Sequence, residues 1–177
     1  FWDRASAKNK YDLIKIPGYH IGGWYDGYRN SLPRMIENVS APVKAMIGPW
    51  DHDFPHNAAL KPQVEWRHEA VRWFDQWLKQ VDTGILEEPK FAVYIRDYHE
   101  PDDSIEFIPG YWRWENEWPP ADLSKQTFYG HDNHYLSQEK SKFVEHKLKN
   151  KPSIGLEGGG PTMWWGSIPP DQKPMDK

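Results

Sequence analysis

The chain has 177 residues, of which 38% are apolar and 15% aromatic, enough for one ordinary domain or two small ones and too many for a disordered tail. Its net charge of −4, with acidic and basic residues mixed along the chain, provides no basic stripe for a nucleic-acid backbone. Without cysteine there is neither a disulfide framework nor a thiolate zinc site, and no apolar run approaches the roughly 20 residues that span a bilayer.

The first half of the sequence predicts a strand, a helix and a second strand. Residues 13–23 are apolar, rich in β-branched residues and end on paired glycines, which is typical of a strand that runs into a loop. Ser31 can cap a helix that tolerates Pro33 in its first turn and whose apolar residues share one face, namely Leu32, Met35, Ile36 and Val39. Residues 43–47 form a second apolar segment that ends at glycine. Such a βαβ unit has parallel strands whose following loops leave the same carboxyl edge of the sheet.

The clearest helical pattern covers residues 62–82, with Pro62 in the first turn and Gly84 as the C-terminal stop. Two adjacent apolar stripes run along it, one formed by Val64, Val71, Phe74, Leu78 and Val81 and the other by Trp66, Ala70, Trp73 and Trp77. We therefore expect a wide face of this helix to be covered by the rest of the protein, with its aromatic residues in the core.

The sequence pattern changes near residues 86–89. Period-two alternation in residues 90–97 predicts the opening of an all-β region, and turn-rich sequence separates further strand candidates at residues 103–109, 126–132 and 134–137. Residues 151–174 lack periodicity and are predicted to be an extended loop. Because a parallel sheet is normally built from more than two strands, either further strands lie outside this chain or the βαβ interpretation is wrong.

An aspartate follows the first predicted strand in the sequence GGWYDG, residues 22–27. A carboxylate held between glycines that let the backbone turn sharply is suited to orienting an imidazole, which makes Asp26 a candidate functional acid. The competing interpretation is an aromatic turn with aspartate at a favourable turn position, and the local sequence by itself slightly favours that turn.

A histidine follows the second predicted strand in the sequence MIGPWDHDFPH, residues 46–56. Because both loops leave the same edge of neighbouring strands, we expect Asp26 and His52 to approach to hydrogen-bond distance. The carboxylate would then fix the imidazole tautomer, and the other ring nitrogen would work as a general base. Taken alone, His52 would be interpreted as a capping or surface histidine.

The same stretch allows a metal site at Asp51, His52 and His56, since zinc and iron accept carboxylate and imidazole ligands. The spacing disfavours this alternative, because the two histidines share a face only on a helix and Pro55 disfavours helix in the residue before it. In an extended segment Asp51 and Asp53 would point to opposite sides. We therefore assign no metal ligand.

The sequence contains no Gly-x-Ser-x-Gly elbow, the strained turn that carries the nucleophile of α/β-hydrolases. Ser31 lies near Asp26, but its position suits a helix cap. The order in that fold is serine, acid, histidine, so an acid and a histidine on successive strands are typical of its C-terminal part.

Together, the sequences IGGWYDGY and IGPWDH resemble the family of cocaine esterase, α-amino acid ester hydrolases, glutaryl acylases and X-prolyl dipeptidyl peptidases. In that family the acid and the histidine lie in a Gly-Trp-x-Asp-Gly turn and a Gly-Pro-Trp-x-His turn. Residues 1–17 resemble the family's return from its helical cap, residues 70–79 the helix after the histidine turn, and residues 111–122 the Trp-Pro segment that opens its C-terminal domain. Residues 151–174 are similar to a loop that crosses that domain.

By this resemblance Asp26 is the triad acid and His52 the triad base of a serine hydrolase that cleaves acyl esters or amides through an acyl-enzyme. The nucleophilic serine and the oxyanion-hole donors belong to family segments that would precede Phe1, so the isolated chain is predicted to be inactive. The resemblance implies an α/β fold, with residues 1–87 as the C-terminal part of an α/β-hydrolase domain and residues 88–177 as the start of a jelly-roll domain. It implies a small-molecule ester or amide substrate. From the sequence we expect no cofactor and no nucleic-acid or membrane partner, and a homo-oligomer stays open.

A rival from another class is an aromatic-rich module that binds sugars. Its stacking platforms would be Trp112, Trp114, Trp118, Trp164 and Trp165. A coplanar, exposed row of rings would support this alternative, whereas rings buried between sheet and helix would remove it.

Overall fold

The computed structural model describes residues 2–100, 102, 104–131 and 135–140. The helices are α1 (Trp2–Ala5), a 3-10 helix (Tyr11–Leu13), α2 (Ser31–Asn38) and α3 (Arg67–Leu78). The strands are β1 (Gly18–Gly23), β2 (Val43–Gly48), β3 (Phe91–Arg96), β4 (Gly110–Glu115), β5 (Tyr129–Gly130) and β6 (Leu136–Ser137). No helix of this described part is long and apolar enough to cross a bilayer.

Four strands form one mixed sheet in the order β1-β2-β3-β4. Strands β1, β2 and β3 run parallel, and β4 pairs antiparallel with β3. The predicted βαβ unit is therefore confirmed, and with it the α/β class. In β2 all residues after Val43 are buried, which is typical of an inner parallel strand covered on both faces.

The first strand is shorter than predicted. Of residues 13–23, only Gly18–Gly23 form β1, and the 3-10 helix precedes them. The N–H of Gly18 donates to the carbonyl of Pro42 at 3.0 Å, whereas Pro17 has no N–H to offer a neighbouring strand. The strand therefore begins after the proline.

Helix α2 packs on one face of the sheet. Leu32 and Ile36 are buried in a core cluster with Ala45, Ile47, Phe91 and Val93. The helix begins at Ser31, the cap residue is Asn30, and no side chain caps the helix. The predicted capping by Ser31 is therefore wrong, although the helix and its buried face are as predicted.

Helix α3 is shorter than the predicted residues 62–82. It ends at Leu78, and Gln80 has a φ of 58°, in the left-handed region that cannot continue a helix. Trp73 is its one buried residue, whereas Val71, Phe74 and Leu78 are 58%, 56% and 75% exposed. Within the described residues, the prediction that a wide face of this helix is covered is wrong.

The sheet continues across the predicted change of pattern at residues 86–89. Strand β3 confirms the strand predicted at residues 90–97, but it pairs with β2 of the first half. Of the strand predicted at residues 103–109, the described residues 104–109 form only a bridge between Lys61 and Phe107, while β5 and β6 form a separate two-stranded ladder. The division into residues 1–87 and 88–177 and the jelly roll stay predictions, and the loop predicted at residues 151–174 lies outside the described residues.

Candidate active site

The two predicted functional loops leave the carboxyl ends of β1 and β2 side by side. Gly23 and Gly48 are register partners, and beyond them Trp24 N–H donates to Gly48 O and Tyr25 N–H to Trp50 O, each at 2.9 Å. The backbones approach so closely that a Cβ on Gly23 would lie 2.1 Å from the carbonyl oxygen of Trp50. The loops are thus joined by backbone contacts before any functional side chain is reached.

Asp26 and His52 meet at this junction. The imidazole Nδ1 lies 3.0 Å from the carboxylate Oδ2, and the other oxygen, Oδ1, accepts the N–H of Tyr28 at 2.7 Å. The side chain of Asp26 is 16% exposed and that of His52 is 49% exposed. The predicted contact between these two side chains is confirmed.

This contact determines the proton arrangement on the imidazole. When Nδ1–H donates to a carboxylate, the neutral ring carries its lone pair on Nε2, which is the form that accepts a proton from another group. The Tyr28 ring lies 5.7 Å from the His52 ring, centroid to centroid, at an interplanar angle of 53°. Both carboxylate oxygens of Asp26 are therefore engaged, one by Tyr28 and the other by Nδ1 of His52.

Trp50 anchors the histidine loop. It is 1% exposed, packs with Met46, Ala58 and Ala92 on the second face of the sheet, and donates its indole N–H to the carbonyl of Pro62 at 2.8 Å. Pro62 thereby lies in a loop against Trp50 and not in the first turn of α3. The Gly-Pro-Trp sequence before the histidine is the signal that could have identified this anchor.

A cavity of about 450 Å³ opens beside the pair. Asp26 and His52 line it together with Tyr19, Ile21, Gly22, Gly23, Trp50, Asp51, Asp53, Phe54, Pro55 and Trp66. Burial, together with the nearby carboxylate of Glu69, raises the pKa of the Tyr19 phenol far above its usual range, so this group stays neutral. Asp51 is 6% exposed, and its Oδ1 has no hydrogen-bond partner among the described residues.

His56 does not join the others as a metal ligand. Its Nδ1 accepts the indole N–H of Trp66 at 3.0 Å, while the Nδ1 of His52 is engaged with Asp26. In the part of the chain that the structure describes, no group of three or more His, Asp or Glu side chains is arranged to hold a metal ion. The sequence did not predict the contact between His56 and Trp66, because no local pattern links residues ten positions apart in a loop.

The three tryptophans of the sugar-binding alternative that the structure describes do not form a flat, exposed row. Trp112 packs edge-on against Tyr94, with an interplanar angle of 71°, and lies against two core clusters. Trp118 packs against the core cluster of α2, and Trp114 is 55% exposed but tilted by 35° from Trp112. Trp164 and Trp165 lie outside the described residues.

Residues 1–53, which include Asp26 and His52, match the sequence model of the X-Pro dipeptidyl-peptidase family (S15 family). The chain is also 28% identical over 118 residues to a proposed serine esterase of Mycobacterium bovis, and equally to one of Mycobacterium tuberculosis. These alignments cover 63% of this chain, which spans 17% of the length of the curated relatives it matches.

A solved structure supports the fold. The crystal structure of a CocE/NonD family hydrolase from Staphylococcus aureus superposes with a TM-score of 0.50 at 16% sequence identity, covering 74% of this chain and 22% of that chain. The predicted resemblance to the family of cocaine esterase and the X-prolyl dipeptidyl peptidases is confirmed by these matches, as is the predicted α/β class, a mixed sheet with helices that matches the fold of the Staphylococcus aureus hydrolase.

Proposed function

We propose that this chain, which is related to the S15 peptidases and the CocE/NonD hydrolases, forms the C-terminal portion of a serine hydrolase that cleaves acyl esters or amides through an acyl-enzyme. The observation that carries the proposal is the 3.0 Å contact between Asp26 Oδ2 and His52 Nδ1 at the carboxyl ends of two parallel strands. Both residues lie in the turns by which the sequence resembles the family. The chemistry requires no cofactor.

In this reaction His52 Nε2 takes the proton of a serine hydroxyl while the serine oxygen attacks the carbonyl carbon of the substrate. The imidazolium then returns the proton to the departing alcohol or amine, which leaves an acyl-enzyme. A water molecule repeats the two steps and releases the acid. Asp26 holds the imidazole in the required tautomer and stabilises its positive charge, while the Tyr28 N–H keeps the carboxylate in place.

The proposal assigns the serine and the oxyanion-hole donors to a segment that precedes Phe1 in the intact protein. It is supported by the absence of a Gly-x-Ser-x-Gly sequence from these residues and by the 17% of the relatives' length that the chain spans. The intact protein would therefore hydrolyse esters, and the isolated chain would not.

The experiment compares histidine variants of the intact protein with p-nitrophenyl acetate as substrate. His52→Ala is expected to lower kcat/KM by about 10⁴-fold or more, the range in which the loss of a triad base falls. His68→Ala, in an exposed histidine on α3, is the matched control and should leave kcat/KM unchanged. Equal activity of His52→Ala and wild type would refute the proposed role. Hydrolysis by the isolated chain, abolished in His52→Ala, would refute the assignment of the nucleophile to another segment.

A further inference from the structure

A stacked aromatic pair stands in the wall of the cavity that contains His52. The rings of Phe54 and Trp66 lie 5.3 Å apart at an interplanar angle of 9°, and both residues line the cavity with the catalytic pair. Phe54 is nevertheless 60% exposed. An aromatic ring left this open in a concave site is a binding surface for another apolar group.

Hydrogen bonds within the loop hold the backbone of Phe54 in place. Its N–H donates to the carboxylate of Asp53 at 2.7 Å, and its carbonyl accepts the N–H groups of Asn57 and Ala58 at 2.8 and 3.0 Å. A ligand that binds to this ring therefore loses little affinity to the ordering of the loop.

The ring of Trp66 is held by a separate contact. The indole N–H donates to Nδ1 of His56 at 3.0 Å, which orients the plane of the ring that stacks on Phe54. Phe54 and Trp66, with His56 behind Trp66, are here called the aromatic wall. Within it, His56 acts as a positioning residue for Trp66.

The aromatic wall lies where the leaving group of the substrate would bind. In the proposed reaction His52 hands its proton to the leaving atom, so the group attached to that atom must lie next to the imidazole. Phe54 follows His52 by two residues in the same loop and lines the same cavity. The aromatic wall is therefore placed to contact the leaving group.

The charges of the cavity restrict that group further. The carboxylates of Asp26, Asp51 and Asp53 line the cavity, while His52 is the one basic side chain in its lining. These carboxylates would repel a negatively charged leaving group. The site therefore disfavours an anionic ring, whereas an uncharged ring meets no such penalty.

We propose that Phe54, backed by Trp66, is a specificity-determining residue that selects substrates whose leaving group carries a flat, uncharged aromatic ring, as in a benzyl ester. This inference rests on the proposed function, but the affinity of the wall for an aromatic ring does not require catalysis. Binding and activity can therefore be measured separately.

The binding experiment uses the intact protein with ¹⁵N-labelled tryptophan. The indole signal of Trp66, assigned with Trp66→Phe, is followed while benzyl alcohol is added, and cyclohexylmethanol is the saturated comparison. Benzyl alcohol should bind about two- to tenfold more tightly, which is the range expected for an aromatic pair. Phe54→Leu should remove that preference. Phe74→Leu, the same change at a ring of similar exposure on α3, should retain it.

A second arm uses the intact protein and compares kcat/KM for benzyl acetate and cyclohexylmethyl acetate, which share the acyl group and differ in the ring. The benzyl preference should fall by about two- to tenfold in Phe54→Leu. His56→Leu should weaken the preference and shift the Trp66 indole signal, and His56→Asn, which keeps an acceptor, should restore both.

The inference is overturned if the two alcohols bind equally, or if Phe54→Leu and Phe74→Leu change the preference to the same extent. Ester hydrolysis that is unchanged in His52→Ala would instead refute the proposed function, while the indole signal of Trp66 would still report on the aromatic wall.

Discussion

Two hydrogen-bonded pairs of titratable side chains lie at opposite edges of the same sheet and differ in their surroundings. At the carboxyl edge, Asp26 and His52 are 3.0 Å apart, and the His52 side chain is 49% exposed. At the amino edge, Lys44 and Glu88 are 2.7 Å apart, and the Lys44 side chain is 6% exposed. Lys44 also reaches the carbonyl of Ile85 at 3.4 Å, and Glu88 also pairs with Arg72 at 2.5 Å.

The distance between two titratable side chains does not by itself indicate the role of the pair. Burial by itself would raise the pKa of Glu88, but hydrogen bonds from Arg72 and Lys44 outweigh it and hold the pKa of that carboxyl below its ordinary value. The pair of Lys44 and Glu88 therefore stays charged and stabilises the fold. In the proposed reaction His52 gains and loses a proton, and its partial exposure is compatible with that change.

The largest expected difference between the two edges concerns activity. Asp26→Asn in the intact protein should lower kcat/KM for p-nitrophenyl acetate by about 10⁴-fold, because the amide favours the wrong imidazole tautomer. The free energy of unfolding should change by less than about 1 kcal/mol, as for other partly exposed pairs. Steady-state kinetics and urea denaturation measure the two quantities. A large loss of stability with little loss of rate would reverse the roles assigned to the edges.

The carboxyl edge should instead depend on its backbone contact. Gly23→Ala should lower the free energy of unfolding by about 3 kcal/mol, because the new Cβ would lie 2.1 Å from the carbonyl oxygen of Trp50. The neighbouring variant Gly22→Ala, whose Cβ would meet the movable side chain of Leu32 at 3.2 Å, should cost about 1 kcal/mol or less. Urea denaturation of both variants tests this, and equal losses would contradict it.

At the amino edge, removal of one charge should destabilise the fold. Glu88→Gln leaves the buried Lys44 without its counter-charge and should lower the free energy of unfolding by about 2 kcal/mol, less than for a fully buried pair because Glu88 is 38% exposed. Glu106→Gln, in the exposed pair with Lys61 at 2.9 Å, is the matched control and should change it by less than about 0.5 kcal/mol. If Glu106→Gln lowers the free energy of unfolding as much as Glu88→Gln does, the burial of Lys44 does not determine the stability of its pair.

The smallest expected effect is a pH dependence of the same pair. Since the folded-state pKa of Glu88 lies below its ordinary value of 4.5, the stabilisation is present above that pH and is lost as the pH falls through the folded-state pKa. The difference in unfolding free energy between wild type and Glu88→Gln should therefore shrink in acid. Urea denaturation at pH 7 and at pH 3 measures it, and a difference that grows in acid would contradict the assignment.

The sequence predicted the first half of the fold because its signals are local. Apolar runs that end on glycine marked β1 and β2, and the helical face of Leu32 and Ile36 marked α2. The contact between Asp26 and His52 followed from the rule that loops after parallel strands share an edge. Each step required only neighbouring residues and one topological rule.

The misassigned elements depend on contacts between distant residues. The helix predicted at residues 62–82 begins later because Pro62 is engaged with Trp50, and β3 joins the first sheet by pairing with β2. A period-two pattern indicates a strand but not the sheet to which it belongs. The contact between Trp66 and His56 arises in the same way and gave no local signal.

The sequence by itself determined the α/β class, the parallel pair of strands and the two turns that carry Asp26 and His52. Only the tertiary structure decided that the sheet continues through β3 and β4, that α3 buries Trp73 alone, and that Phe54 stacks on Trp66 beside the histidine. Periodicity and turn chemistry act over a few residues, whereas strand partners, helix coverage and ring stacking are chosen among residues that meet only once the chain is packed.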